Sequence, residues 1–263
     1  MGTNTFVALF ALAHDQAASE EDVKLWAEDR AGNRTEAGFW IRINSQKFRS
    51  RRIEVSDRFI ESVVPEILLN TPEIVQQDSS LDTFLVINRD LRRANNQKIS
   101  EVSLDSRPEL LWLEPFLQLS KSKVEAVFAD HRSYFYQGRQ VDEQTHLGFD
   151  LASYAQSPVE ASNSGVVAFA DYHGIYGNMV MVDHGLGLFS LYAHLSSIAV
   201  EPGQMVNRGE SLGRTGATGL AGGDHLHFSM VLQGVQVNPL EWWDVAWVRT
   251  HLFNKLPAGS GFD

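Results

Sequence analysis

The first 47 residues carry apolar runs of the length and pattern typical of short strands. The run FVALFALA at positions 6–13 is continuous, and two further runs between Val23 and Ile43 flank the turn sequence DRAGN. We therefore predict a β-rich unit of about three strands over residues 1–47, similar to part of an Ig-like sandwich. Three strands are few for a sandwich, so we expect upstream residues of a longer precursor to complete the sheet.

The segment at positions 6–13 has a second interpretation as the apolar part of a secretory signal, because it is short and ends in small residues. The preceding residues, MGTNT, contain no Lys or Arg, so the positive region of such a signal is missing. The strand interpretation is therefore favoured.

Helical spacing of apolar residues begins after Ser56, which is placed to cap a helix, and Pro65 is expected to kink or end that helix. A second helix is predicted to start near Ser79 or Ser80 and to carry Leu81, Phe84, Leu85 and Leu91. Residues 48–120 are thus predicted to be a helical and mixed connecting region. Its short basic cluster at positions 47–52 is typical of a solvated loop or strand edge.

The pattern changes again at about Lys121, into short β-branched and aromatic runs separated by Gly, Pro, Asn and Asp. We predict an antiparallel β-rich domain over residues 121–246 and a C-terminal tail over residues 247–263, helical to about Lys255 and frayed beyond it. The predicted fold class is mainly β with a helical segment.

Composition removes several classes of function. The formal net charge of -11 opposes nucleic-acid or anionic-lipid binding as the main role. No apolar run is long enough to span a bilayer. The chain has no cysteine, so any metal site must use His, Asp or Glu.

Histidines are concentrated in the predicted C-terminal domain, and two spacings there suit a metal. His225 and His227 alternate to the same face of a strand, about 6.6 Å apart. His146 and Asp150 would be about 13 Å apart in an extended strand, so they can share one metal only if the chain bends, as Gly148 allows. Catalytic zinc sites commonly use three protein ligands and a water.

The sequence around these residues resembles that of the lysostaphin-type, or LytM-domain, zinc metallopeptidases, which cut peptides in bacterial cell walls. The resemblance runs from about Lys121 to Asp244 and rests on these successive motifs: THLGFDLA, PVEASNSGVV, GNMVMVDHG, LYAHLS, GQMVNRG, GATG, HLHF and NPL. It covers a little under half of the chain, and the order of the motifs makes it specific.

The resemblance implies that His146, Asp150 and His227 bind one Zn²⁺ per chain, with water as the fourth ligand. It also implies that His194 and His225 are catalytic histidines that do not bind the metal. Zinc would lower the pKa of a bound water toward about 7. We assign the role of general base to His225 and a hydrogen bond to the oxyanion or the water to His194, and these two roles can be exchanged.

Two positions depart from the family pattern. Asp224 stands where Pro is frequent, and Ser190 stands where Thr is common. We expect Asp224 to be a turn or cap residue, the alternative being a carboxylate that orients an imidazole. His184 is expected to be structural, and His131 and His173 are expected to be loop or groove residues. His173 is a candidate for the border of the cleft, as are three tyrosines whose alternative role is core filling: Tyr134, Tyr136 and Tyr154.

The expected function is that of a zinc-dependent endopeptidase acting on peptidoglycan stem peptides or cross-links, in the periplasm or outside the cell. The alternatives are a LytM-like regulatory module that binds and activates another cell-wall hydrolase, and a peptidoglycan amidase. Regulatory members of the family typically lose zinc ligands, which this sequence keeps. We further expect the first 120 residues to cover part of the cleft, or to dock a hydrolase or scaffold partner.

Overall fold

Strands predominate in the computed structural model of the chain, which describes residues 7–255. The strands are β1 (Ser19–Glu28), β2 (Arg34–Ile43), β3 (Ser50–Val55), β4 (Lys123–Ala126), β5 (Asp130–Tyr136), β6 (Arg139–His146), β7 (Phe149–Ala152), β8 (Pro158–Glu160), β9 (Gly165–Tyr172), β10 (Asn178–Asp183), β11 (Leu188–Leu195), β12 (Ser197–Ile198), β13 (Met205–Val206), β14 (Ser211–Arg214), β15 (Leu226–Leu232) and β16 (Val235–Val237). The predicted fold class, mainly β with a helical segment, is confirmed.

The helices lie between β3 and β4 and after β16. They are α1 (Asp57–Asn70), α2 (Ser80–Val86), α3 (Arg92–Val102), α4 (Pro239–Trp243) and α5 (Val245–His251). A π turn, Ile87–Leu91, joins α2 to α3, and 3-10 turns occur at Gly174–Tyr176 and Phe253–Lys255. None of the helices in residues 7–255 has the length and apolar character needed to span a membrane.

The main sheet is antiparallel and has the order β13-β9-β10-β11-β15-β7-β4, with β16 paired to β15. All residues of β11 and β15 are buried, because both faces of the sheet are covered. Leu188 and Tyr192 face one core, which also contains Trp112 and Phe228. The alternate residues of β11, such as Leu191, face a second core that includes helices α1 and α2. His227 of β15 lies on this second face, because Val231, four residues further along the strand, belongs to the second core.

N-cap hydrogen bonds and the burial of an apolar side chain explain where helices α1 and α2 begin and why α1 continues past its proline. The side chains of Ser56 and Ser79 accept hydrogen bonds from the backbone near the starts of α1 and α2, as predicted. The expectation that Pro65 could end α1 is wrong, because the helix continues to Asn70. Burial of Ile67 after the proline accounts for this continuation, since a side chain of that size contributes about 2 kcal/mol when it leaves water.

Strand β3 connects the region before residue 121 to the region after it. It runs parallel to β5 in the three-stranded sheet β3-β5-β6. Beside it, Arg49 forms two hydrogen bonds to the fully buried carboxylate of Asp130, at 2.8 and 2.7 Å. Burial alone would raise the pKa of Asp130, but Arg49 holds it below its usual value. Arg49 of the basic cluster thus has a structural partner in Asp130.

The N-terminal region differs from the prediction. Residues 7–13 do not form a strand, and within residues 7–47 the sheet has only the two strands β1 and β2, so the Ig-like unit is not confirmed. Leu9 and Ala11 instead pack against the core that contains Trp112. The predicted turn is present, and Gly32 has a φ of 83° there. Phe6, the start of the predicted strand, and the tail after Lys255 lie outside the described residues.

Candidate metal centre

A bend at Gly148 brings His146 and Asp150 together. Strand β6 ends at His146 and β7 begins at Phe149, and the distance from His146 Nε2 to Asp150 Oδ1 is 2.9 Å. A Cβ atom at position 148 would lie 2.5 Å from Ser229 Oγ and 2.6 Å from the carbonyl oxygen of Phe228. Glycine is therefore required where the bend passes close to β15.

The pairing of β7 with β15 supplies the third group. His227 lies opposite Asp150 in this antiparallel pair, and His227 Nδ1 is 3.0 Å from both Asp150 Oδ1 and His146 Nε2. The three candidate ligand atoms lie within 4.8 Å of one another. His146 and His227 are buried, and Asp150 is partly buried. The structure thus brings the three predicted ligands to one point.

Hydrogen bonds on the far side of each imidazole fix which nitrogen faces the other groups. His146 Nδ1 is 2.9 Å from the carbonyl oxygen of Val127, which can only accept, so Nδ1 carries the proton. His227 Nε2 is 2.9 Å from Ser229 Oγ, and that hydroxyl donates to the carbonyl of Leu147 at 2.7 Å. The hydroxyl therefore accepts from Nε2. Both neutral rings present unprotonated nitrogens to the centre.

This donor set fits a divalent metal. Two nitrogen lone pairs and a carboxylate oxygen converge, and all three are acceptors that would repel one another without a cation between them. Burial is the main cause that lowers the pKa of His227 to about 4, which keeps the ring neutral.

The two remaining predicted histidines lie beside the three. The ring of His194 is 4.8 Å from that of His225 and 5.8 Å from that of His227. His194 Nδ1 donates to the carbonyl of Thr218 at 2.8 Å, and His225 Nδ1 donates to the carbonyl of Gly223 at 2.8 Å. His225 Nε2 is 3.5 Å from Asp150 Oδ1. All five predicted site residues thus form one cluster.

The electrostatic surroundings of these two rings differ. Burial, followed by the charges of His225 and His227, lowers the pKa of His194 well below its usual value. Burial also acts to lower the pKa of His225, but Asp150 outweighs it and the net shift is upward. His194 also adopts a left-handed backbone conformation, with φ 63°, at the end of β11.

Three further residues at the site were missed by the sequence analysis. Arg132 on β5 donates to Asp150 Oδ2 at 2.9 Å, and the ring of Tyr176 packs 5.5 Å from that of His227. Ser229 is the third. Its position two residues after His227 on one strand could have indicated its role, because alternate side chains share a face. Arg132 comes from a separate sheet, and no local pattern marks it.

The other expectations have clear outcomes. Asp224 accepts hydrogen bonds from Thr215 Oγ1 at 2.6 Å and from the backbone N–H of Gln156 at 3.0 Å, as a residue that ties loops together. His184 is fully buried between the carbonyl of Ser164 and the hydroxyl of Ser190, which supports a structural role.

The histidines and tyrosines predicted to be loop, groove or cleft-border residues lie in different environments. Tyr134 lines the pocket at the centre, whereas Tyr136 donates a hydrogen bond to Asp57 at 2.7 Å. His173 contacts the backbone carbonyl of Asn95, at 3.0 Å from Nε2, and stacks on Tyr176. His131 lies 3.7 Å from Glu143, and Tyr154 is largely exposed.

A pocket of about 300 Å³ opens onto the centre. The five clustered residues line one side of it. The lining also includes Ile53 of β3, Phe59 of α1, and Arg92 and Asn96 of α3. The connecting region therefore supplies part of the pocket wall.

The β fold and the His-Asp-His centre together define a metallopeptidase type of domain. Residues 144–239 match the model described as peptidase family M23, so this part of the chain is similar to that family. The family consists of metallopeptidases, which are hydrolases.

Similar proteins include the DD-carboxypeptidase/endopeptidase Mpg of Neisseria meningitidis serogroup B, which is 43% identical over 95 residues. Peptidoglycan DD-endopeptidase ShyA of Vibrio cholerae serotype O1 is 40% identical over 96 residues. Each match covers 36% of this chain and 22% of the relative, so the similarity spans about a fifth of those proteins. A crystal structure of an M23-type protein from Pseudomonas aeruginosa shares the fold, with a TM-score of 0.51 and 23% identity, over 86% of this chain and 74% of the other.

Proposed function

We propose that the chain is a zinc-dependent endopeptidase that hydrolyses peptide bonds in peptidoglycan stem peptides or cross-links. The observation that carries this proposal is the convergence of His146 Nε2, His227 Nδ1 and Asp150 Oδ1, with both rings fixed in the ligand tautomer. The names of the similar proteins Mpg and ShyA support the substrate class. Such a substrate places the protein in the periplasm or outside the cell.

Zinc fits this centre because nitrogen and carboxylate ligands suit it, and a bound zinc ion would activate water and polarise the scissile carbonyl. His146, Asp150 and His227 would hold the ion. Their partners, the carbonyl of Val127 and the hydroxyl of Ser229, keep the two rings oriented. Arg132 holds the second oxygen of Asp150, which leaves Oδ1 directed to the centre.

The other two histidines, His194 and His225, interact with the attacking water. Both donate from Nδ1 to a backbone carbonyl, so each neutral ring offers Nε2 as an acceptor. A proton taken at His225 Nε2 faces the carboxylate of Asp150, 3.5 Å away, which stabilises the imidazolium. We therefore assign to His225 the transfer of a proton from the attacking water to the leaving amine.

Of the two roles expected for His194, a hydrogen bond to the water is better supported than a hydrogen bond to the oxyanion. With Nδ1–H held by Thr218, a neutral His194 has no proton on Nε2 to donate. It is buried, so gaining a charge there is costly. We assign to it the role of an acceptor that orients the attacking water toward the scissile carbonyl.

The test is digestion of purified sacculi by the full chain, with zinc, with chelator, and with the variant His227→Ala. We expect mass spectrometry to show newly released peptide ends only for the zinc-loaded wild type. Unchanged sacculi from several wall chemistries would contradict the proposal. Release of intact stem peptides from the sugar would instead identify an amidase.

A further inference from the structure

The pocket contains a cation that has no anionic partner. Four charged residues line it: Glu54, Arg92, Arg132 and Asp150. Arg132 pairs with Asp150 at 2.9 Å, and Glu54 pairs with Arg52 at 2.5 Å. Within residues 7–255, Arg92 makes no ion pair.

The guanidinium of Arg92 is nevertheless held in place. Nε donates to the backbone carbonyl of Asn88 at 3.0 Å, and Nη2 donates to Asn88 Oδ1 at 2.6 Å. Asn88 is fully buried and is itself anchored, because its amide donates to Asp142 at 2.6 Å. Asp142 is neutralised by Arg89, 2.9 Å away. Neutral acceptors thus position Arg92 without balancing its charge.

The segment that presents Arg92 has an unusual backbone. Asn88 lies within the π turn Ile87–Leu91, and Arg92 is the first residue after it. π turns of this kind are frequent at functional sites. A half-buried arginine that is oriented but unpaired is suited to receive a carboxylate, because the guanidinium fork matches both carboxylate oxygens.

Tyr176 connects this cation to the candidate metal centre. Its hydroxyl donates to Asn96 Oδ1 at 2.7 Å, and Asn96 lies one helical turn after Arg92. Its ring packs against His227 at 5.5 Å. A ligand in the pocket can therefore touch Arg92 at one end and the histidine cluster at the other.

We propose that Arg92 binds the C-terminal carboxylate of the substrate peptide and selects peptides that end close to the cleaved bond. This inference rests on the proposed function. A pocket of about 300 Å³ is at the lower limit for a small-ligand site and suits a short peptide end. The arginine is a specificity residue, since it contacts the substrate away from the reacting atoms.

The test compares two synthetic pentapeptides that end in two D-alanines and differ only in a free C-terminal carboxylate or a carboxamide. The proteins are the wild type, Arg92→Gln and the control Arg93→Gln. Arg93 is adjacent on the same helix, but its side chain is 78% exposed and pairs with Asp90 at 2.8 Å. Circular dichroism checks that each variant is folded, and Arg92→Lys keeps a charge without the fork.

We expect the wild type and Arg93→Gln to prefer the free acid by roughly tenfold to a hundredfold in kcat/KM. Arg92→Gln should lose this preference, so that it cleaves the acid and the amide at similar rates, and Arg92→Lys should be intermediate. Equal rates on acid and amide for the wild type would overturn the inference, as would a preference that survives in Arg92→Gln.

Calorimetric binding of both peptides to the metal-free full chain separates this inference from the proposed function. We expect the acid to bind more tightly than the amide, and the difference to vanish in Arg92→Gln. Arg92-dependent binding of the acid without cleavage of any wall peptide would overturn the endopeptidase proposal and retain the carboxylate site. Cleavage of wall peptides, with no difference in affinity between the acid and the amide, would overturn the carboxylate site and retain the endopeptidase proposal.

Discussion

Backbone carbonyls determine the chemistry of four histidines at the candidate centre. Those of Val127, Thr218 and Gly223 each take one ring N–H, and Ser229 relays the fourth to Leu147. A carbonyl cannot donate, so the tautomer of each ring follows from the fold. The site is thereby prepared before any ligand arrives.

Ser229 can be tested through metal affinity. We expect Ser229→Ala to weaken zinc binding by about tenfold to a hundredfold, because His227 Nε2–H loses its acceptor. Competition with a chromophoric chelator measures this. Ser211→Ala, a change on the outer part of β14, should leave the affinity unchanged. Equal affinities for Ser229→Ala and the wild type would contradict the prediction.

His184 should make stability depend on pH. Burial lowers its pKa to about 4 in the folded protein, against about 6.5 in the unfolded chain. Below pH 6.5 the unfolded state takes up a proton that the folded state refuses until about pH 4. The stabilisation is therefore complete above pH 6.5 and is lost as the pH falls through this window.

Urea unfolding of the metal-free protein between pH 7 and pH 5 measures this effect. We expect His184→Gln to reduce the pH dependence of the unfolding free energy by up to about 1.4 kcal/mol per pH unit. His131→Gln, at a more exposed histidine, should change the slope less. Parallel slopes for the wild type and His184→Gln would show that the buried ring does not cause the dependence.

The sequence predicted the five residues of the cluster because their motifs are local and specific. Gly148 indicated the bend, and strand alternation placed His225 and His227 on one face. The contribution of Arg132 and Arg92 could not be predicted, because each reaches the pocket through pairing of distant segments. Tertiary structure alone brings an arginine of β5 to a carboxylate of β7.

At the scale of elements, the apolar runs of the C-terminal region were interpreted well, and the run at positions 6–13 was not. The runs at β11 and β15 are buried strands, as expected. The run at positions 6–13 is of similar length, yet residues 7–13 do not enter a sheet. Leu9 and Ala11 pack against the core, whereas Phe10 and Leu12 are exposed. An apolar run of this length therefore indicates neither burial nor pairing of the backbone with a neighbouring strand.

The hairpin of β1 and β2 should be the least protected sheet. Its residues are mostly exposed, including Trp26 and Trp40 at 61% and 53%, and each strand pairs only with the other. An isolated two-stranded hairpin is marginally stable in water. We expect its amides to exchange with deuterium much faster than those of β11, as measured by mass spectrometry. Comparable protection in the two would contradict this expectation.

At the scale of the molecule, the connecting region is a wall of the site and part of the core. A truncated chain that begins near Leu117 would be the direct test of occlusion by the first 120 residues. That truncation would also remove β3 from its sheet and Trp112 and Phe116 from the core. We therefore expect it to lose its fold, and occlusion is better tested by changes to pocket residues of α1 and α3.

The ion pair of Arg49 with Asp130 allows the contribution of the connecting region to stability to be measured. We expect Arg49→Ala to lower the free energy of unfolding by about 3 kcal/mol, because the buried Asp130 would lose both short hydrogen bonds and keep as an ion-pair partner only the more distant Arg51, 3.9 Å away. Arg34→Ala, at an exposed ion pair with Glu36, should cost less than about 1 kcal/mol. Denaturant unfolding compares the two. A similar small cost for both would mean that the Asp130 pair does not link the regions.

The parallel pairing of β3 with β5 has a consequence for biosynthesis. A ribosome releases β3 well before β5, with helices α1 to α3 between them, so β3 waits with its hydrogen-bonding edge unpaired. Charges along an open edge discourage pairing with other chains, and β3 carries Arg51, Arg52 and Glu54. The same short segment that completes the pocket wall is thus protected against aggregation while the nascent chain is incomplete.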